Sequence, residues 1–235
     1  MANGNFRLLE TFRKIFSGTV YMHRDSTLGN KIGRELFEDL LRHEVSARYK
    51  KHVEDGLGVV NRAGKIHTPK DIRRNDSIWG RPPAGATPQI VTGFSVPEGS
   101  VAEPRIGCEV KIIAKSQQKQ IDRVINDLDG FARRMNQLNK KCINIAVVGI
   151  NHQPDYEGHE GERTFVHTLK PQEPQKVMAK LREHLLARYD ELLILSFRAT
   201  NMPPYPFEWL DNRQVDLDYG AALARIGEEC QRRFR

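Results

Sequence analysis

Hydrophobic and polar residues alternate most clearly over Pro104–Ser116. Side chains of a strand point alternately to its two faces, so this segment is predicted to be a strand with two unlike faces. The apolar face carries Cys108, Val110 and Ile112. Glu109 and Lys111 share the opposite face, which places a carboxylate beside an ammonium group.

Apolar residues at helical spacing mark several other segments, most clearly Gln117–Leu138. The almost wholly apolar run Cys142–Ile150 follows and predicts a buried central strand that is reached by a helical crossover. The other predicted helices are Phe6–Phe16, Leu28–Arg48, Pro174–Asp190 and Asp216–Phe234. The other predicted strands lie within 56–66, at Pro88–Val96 and at Glu191–Thr200. The Pro88–Val96 strand is expected to pair antiparallel with the Glu109–Lys111 strand.

This order of elements predicts an α/β fold with a central mixed sheet flanked by helices. The chain has no internal repeat, low-complexity tract or clear linker, so residues 1–235 are expected to form one domain. Its core is predicted at 28–150, with an elaboration of β-strand and helices at 151–235. Within that elaboration, 151–167 is predicted to be a polar loop.

Composition and charge narrow the functional classes. Apolar residues make up 39% and charged residues 29% of the chain, which is ordinary for a folded soluble protein. The net charge of +7 and the pI near 9.4 favour a polyanionic partner such as nucleic acid. Three isolated cysteines without metal-motif spacing favour a reduced cytoplasmic setting. Neither a signal peptide nor a membrane partner is expected.

Glu109 and Lys111 form the only Glu/Asp-x-Lys tripeptide in the chain. A carboxylate can hold a divalent metal, and a lysine can stabilise charge that develops on a phosphate or on an attacking water. The alternative is a plain ion pair on a half-exposed strand. The chain lacks the Gly-x-Ser-x-Gly motif of serine hydrolases and the phosphate-binding loop of NTPases.

An arginine-rich segment with Pro and Gly is the candidate nucleic-acid surface. Arg73, Arg74 and Arg81 surround Trp79 in the sequence. Arginines could contact a phosphate backbone while the indole stacks on a base. The alternative, of equal weight, is a loop anchored by one buried tryptophan.

The order of helix, strands, Glu-x-Lys strand, helix and apolar strand resembles the restriction-endonuclease-like nuclease superfamily, which is named for its Pro-Asp…Asp/Glu-x-Lys signature. The resemblance covers roughly Leu28–Ile150. It implies that Glu38 on the first helix, together with Glu109, binds Mg²⁺, with Mn²⁺ as the alternative. Lys111 would then assist catalysis, and Gln117 or Gln118 corresponds to a glutamine that some members carry after the lysine.

Gln89 departs from that pattern, because Pro88-Gln89 occupies the place of Pro-Asp. An amide is a poorer ligand for a hard cation than a carboxylate is. The missing ligand is expected from Asp76, with Asp71 as a weaker candidate. If neither aspartate supplies that ligand, the alternative is a protein that retains the fold without catalysis.

The resemblance therefore implies a metal-dependent DNA endonuclease of restriction, antiviral-defence or repair type. Double-stranded DNA is the expected partner, and a homodimer or an assembly with a regulatory protein is a further expectation. The alternative function is a catalytically inactive nucleic-acid-binding or scaffolding protein with the same fold.

Overall fold

A computed structural model of the chain describes residues 6–22, 25, 27–61, 77–160 and 163–234. It contains a mixed six-stranded sheet in the order β1-β2-β3-β4-β7-β8, with helices on both faces. The strands of this sheet are β1 Val59–Asn61, β2 Ser77–Arg81, β3 Glu103–Ile113, β4 Ile143–Asn151, β7 Glu191–Ala199 and β8 Phe207–Trp209. The α/β class with a central mixed sheet is confirmed.

Six helices lie in the described residues: α1 Arg7–Lys14, α2 Thr27–Arg42, α3 Ala47–Glu54, α4 Gln117–Leu138, α5 Glu173–Leu185 and α6 Asn212–Arg233. Helix α4 has the predicted bounds and connects β3 to β4, which pair in parallel. The predicted helical crossover to a central buried strand is thereby confirmed. By contrast, β1, β2 and β3 pair antiparallel.

Three local predictions are wrong. The helix predicted at Leu28–Arg48 ends at Arg42, and a turn with Glu44 at positive φ separates it from α3, which Ser46 caps at its amino end. Residues 88–96 contain no strand and make only one isolated bridge, between Gln89 and Glu98. Part of the predicted loop 151–167 is a hairpin of β5 Asp155–Glu160 and β6 Arg163–Thr168.

Helix α1 docks on the body of the protein through a buried carboxylate on α2. Asp39 is fully buried and accepts hydrogen bonds from the backbone N–H groups of Arg7 and Leu8, at 2.9 and 3.0 Å. The Tyr219 hydroxyl of α6 donates a third, at 2.9 Å. Burial raises the pKa of the Asp39 carboxyl, although these three donors oppose the shift. Asp39 therefore ties α1, α2 and α6 together.

In the described part of the chain, no helix combines the length and the apolar character that a bilayer crossing requires. The three cysteines, Cys108, Cys142 and Cys230, are buried and are not joined in disulfides.

Candidate functional site

Glu109 and Lys111 lie side by side on β3, as the alternation predicts. The Lys111 ammonium donates to Oε1 of Glu109 at 2.8 Å. Glu109 is only 6% exposed, and its second oxygen, Oε2, has no hydrogen-bond partner in the described structure. A buried carboxylate oxygen normally has a partner, so Oε2 is the oxygen of the pair whose hydrogen-bonding capacity the described structure leaves unsatisfied.

Helix α4 covers the face of the sheet that carries this pair. A Cβ added at Gly107 would lie 2.7 Å from Phe131 of α4, and Glu109 and Lys111 share the face of Gly107 by alternation. Burial raises the pKa of the Tyr189 phenol, and the negative charge of the Glu109 carboxylate adds to that shift because it disfavours the phenolate.

Glu38 does not join this pair. Helix α2 packs on the opposite face of the sheet, where a Cβ added at Gly33 would lie 3.7 Å from the sulfur of Cys108. Glu38 is 1% exposed and binds a loop instead: its carboxylate accepts the backbone N–H of Ser95 and, at 2.8 Å, that of Val96. Cys108 and Glu109 are adjacent in β3 and therefore face opposite sides of the sheet, so α2 with Glu38 lies on the side away from Glu109. The expectation of Glu38 as a metal ligand beside Glu109 is wrong.

Gln89 also lies away from Glu109. Its backbone pairs with that of Glu98, and residues 97–99 in turn bond to Val60 on the outer side of β1. Strands β1 and β2 therefore separate Gln89 from β3. The expectation that Gln89 occupies the second acidic position of the site is wrong, since the strand predicted at Pro88–Val96 does not form.

The second strand of the antiparallel group begins at Ser77 instead. Ser77 is the register partner of Cys108, and directly opposite residues of an antiparallel pair point to the same face. Asp76 is the residue before Ser77 in the sequence, as Glu109 is the residue after Cys108. Asp76 itself, like Asp71, lies outside the described residues.

A cleft of about 260 Å³ opens beside Lys111 at the carboxyl end of β3. Helix α4 contributes to it Gln120, Arg123, Val124 and Asp127. These positions are spaced i, i+3, i+4 and i+7, so they form one face of the helix. Asp127 lies 4.0 Å from the Lys111 ammonium. Gln120 and Asp127 are not among the predicted site residues, although the helical spacing that predicts α4 also places them on one face.

The two glutamines at the start of α4 have separate environments. Gln117 is buried, and its side-chain amide donates to the backbone oxygen of Asn151 at 2.5 Å. Gln118 is exposed, and its backbone N–H donates to Glu173 at 3.1 Å. Gln118 lines a neighbouring cleft and not the one beside Lys111. Of the first-turn glutamines, Gln120 is the one in the Lys111 cleft.

Trp79 is part of the core and not of a binding surface. It is completely buried and packs against Tyr49 and Phe234, with ring centroids 4.7 and 5.3 Å apart. Base stacking by Trp79 is therefore wrong, and the alternative of an anchored segment is correct. Arg81 is exposed at the end of β2, with Glu103 3.9 Å away. Arg73 and Arg74 lie outside the described residues.

The described residues contain no group of three metal-binding side chains. Mg²⁺, however, is commonly held by one or two carboxylates together with waters and substrate phosphates. Glu109 fits that requirement through its orphaned Oε2, and the Lys111 ammonium occupies only the other oxygen.

No protein-family model matches this chain, and comparison with curated proteins also gives no match.

Proposed function

We propose that this protein is a Mg²⁺-dependent nuclease that hydrolyses phosphodiester bonds in double-stranded DNA. The observation that carries the proposal is the Glu109–Lys111 pair, in which a buried carboxylate keeps one oxygen without a hydrogen bond. The resemblance to restriction-endonuclease-like nucleases supports it, because α2, the antiparallel β1-β2-β3 group, α4 and the parallel β4 follow the order it implies.

Each residue of the pair has a distinct role in the proposal. Glu109 would hold the cation through Oε2, and Mg²⁺, when bound there, would supply neutralising charge at the scissile phosphate. Lys111 lies within hydrogen-bond reach of Glu109 and lines the cleft, so its ammonium stabilises negative charge on the phosphate as the bond breaks. The second carboxylate of the proposal is Asp76, which the sequence analysis expects as the missing ligand and which lies outside the described residues.

Gln120 and Asp127 extend the proposed site along α4. Gln120 lines the cleft, and its amide donates to the backbone oxygen of Lys115 at 2.8 Å. Asp127, at 4.0 Å, helps to hold the Lys111 ammonium in place. Gln120 thus takes the place that the resemblance gave to Gln117 or Gln118.

Asp76→Asn is expected to abolish Mg²⁺-dependent nicking of a supercoiled plasmid, whereas Gln89→Asp is expected to leave it unchanged. The first change removes one of the two carboxylate charges at the site, and the second adds a charge beyond β1. Nicking is followed by gel electrophoresis with Mg²⁺, with Mn²⁺ and with EDTA. A parent protein that nicks with neither metal overturns the nuclease proposal, and nicking that survives Asp76→Asn removes Asp76 from the site.

A nucleic-acid-binding protein without catalysis is the second candidate function. The specific observation that favours it is the use of Glu38, because both oxygens of that carboxylate bind backbone N–H groups of residues 95 and 96. The first-helix acid that the resemblance implies is therefore committed to a structural role. Plasmid binding without nicking under both metals would support this candidate over the nuclease.

A further inference from the structure

A second cleft, of about 370 Å³, adjoins the Lys111 cleft beyond the end of β3. The two clefts share Ala114, Lys115 and Tyr156. Three residues lie between Lys111 and Lys115, so four steps at the rise of a strand separate them by at most about 13 Å. A nucleic-acid strand with one phosphate at Lys111 would therefore pass the second cleft within a few nucleotides.

Basic side chains outnumber acidic ones among the described residues that line this second cleft. Lys115, Lys119 and Lys170 line it, and Glu173 is the only acidic residue among its described lining residues. The Glu173 carboxylate accepts the backbone N–H groups of Gln118 and Lys170, at 3.1 and 3.2 Å. Lys115 is 6% exposed, so its ammonium is held in place rather than extended into solvent. The positive end of the α4 dipole adds to the attraction for an anion.

Tyr156 supplies an independent indication of a ligand. The side chain is 2% exposed and lines both clefts, yet its hydroxyl has no hydrogen-bond partner in the described part of the chain. Buried tyrosine hydroxyls usually have one. Burial also raises the pKa of this phenol, so the hydroxyl keeps its proton at neutral pH and can donate.

Further polar groups lie close to these residues. The Ser116 hydroxyl is 3.4 Å from Nδ1 of His167, and both residues line the second cleft. A Cβ added at Gly158 would lie 2.5 Å from the Lys115 ammonium nitrogen and 3.0 Å from Nε2 of His167. The absence of a side chain at Gly158 therefore allows the lysine and the histidine to converge.

We propose that the second cleft binds a phosphate of the DNA backbone next to the cleavage site. The Tyr156 hydroxyl donates to a phosphate oxygen, while Lys115 and Lys119 neutralise its charge. The proposal rests on the proposed function for the identity of the ligand, but it requires binding alone and no cleavage.

The test measures binding of a fluorescein-labelled DNA duplex by anisotropy, in EDTA and over a range of salt concentrations. Lys119→Gln is expected to reduce the magnitude of the log–log salt slope by about 0.9, the value for one lost phosphate contact. Lys51→Gln is the matched control, because it also removes one lysine charge but from α3. Lys51 pairs with Asp55 and lines neither cleft. Its slope is expected to equal that of the parent.

Tyr156→Phe is expected to weaken binding about tenfold or more, since a hydrogen bond to a charged group is lost. The same change should leave the melting temperature equal or higher, because the hydroxyl has no partner within the described protein. A lower melting temperature with unchanged affinity would assign Tyr156 a structural role and overturn the proposal. Inorganic phosphate is the competitor in this test. If the parent protein binds no duplex but inorganic phosphate raises its melting temperature, the proposed binding of a DNA phosphate is overturned.

Failure of this inference is distinct from failure of the nuclease. Unchanged affinity and slope in both variants overturn the phosphate site while plasmid nicking by the parent stands. Absence of nicking, together with the expected binding results, overturns the nuclease alone. A parent protein that binds no duplex at low salt overturns the phosphate site directly.

Discussion

Glu109→Gln is expected to lower the rate of Mg²⁺-dependent plasmid nicking by about 10²- to 10³-fold. The amide keeps the size of the side chain but removes the negative charge that holds the cation, and it no longer forms an ion pair with Lys111. The range is the typical cost of losing one stabilising group in a preorganised active site. Lys111→Met is expected to fall in the same range. Initial nicking rates at saturating Mg²⁺ measure both effects.

Glu103→Gln is the matched control for this experiment. Glu103 lies on the same strand but is about half exposed, with its nearest cationic partners 3.8 and 3.9 Å away. Its substitution should leave the nicking rate unchanged. Glu109→Gln also removes the ion pair with Lys111, so its melting temperature is measured beside the nicking rate to separate a lost cation from lost stability. A Glu109→Gln protein that nicks at the parent's rate would contradict the proposed site.

Gly227→Ala on α6 is expected to lower the free energy of unfolding by about 1–3 kcal/mol, the usual cost of overpacking a core. A Cβ at this position would lie 2.3 Å from the backbone oxygen of Val45 and 2.8 Å from its carbonyl carbon. Backbone atoms cannot rotate away as a side chain does, so α6 or the turn between α2 and α3 must shift. Urea unfolding followed by circular dichroism measures the difference.

Gly220→Ala on the same helix provides the comparison. Its added Cβ would meet only Phe6, at an ordinary contact distance of 3.5 Å. Alanine is favoured over glycine in a helix by about 1 kcal/mol, so this variant should be as stable as the parent or more stable. If both variants gain stability, the close approach of α6 to Val45 is not a constraint on the fold.

The predictions that succeeded depend on long periodic segments. Helix α4 maintains its apolar spacing over 22 residues, and its predicted and observed bounds agree. The alternation around Glu109 is equally local, because the two-residue period of a strand holds wherever the strand lies in the sheet. The alternation alone places Glu109 and Lys111 side by side, without knowledge of any neighbouring element.

The predictions that failed depended on which segments become neighbours. Residues 88–96 resemble a strand in composition, but Ser77–Arg81 pairs with β3 and leaves no position for them there. Glu38 lies at the edge of an apolar helical face, and the sequence cannot specify which face of the sheet that helix covers. Trp79 lies among arginines in the sequence, but packing against Tyr49 and Phe234 buries it.

The sequence by itself determined the mixed α/β architecture, the crossover through α4 and the shared face of Glu109 and Lys111, because each follows from a periodicity that short-range geometry imposes. Only the tertiary structure decided that Glu38 binds the 95–96 backbone, that Gln89 lies beyond β1 and that Tyr156 lines the cleft with Lys115. Those placements depend on contacts between segments tens of residues apart, and such contacts are selected by the packing of the whole core rather than by any local pattern.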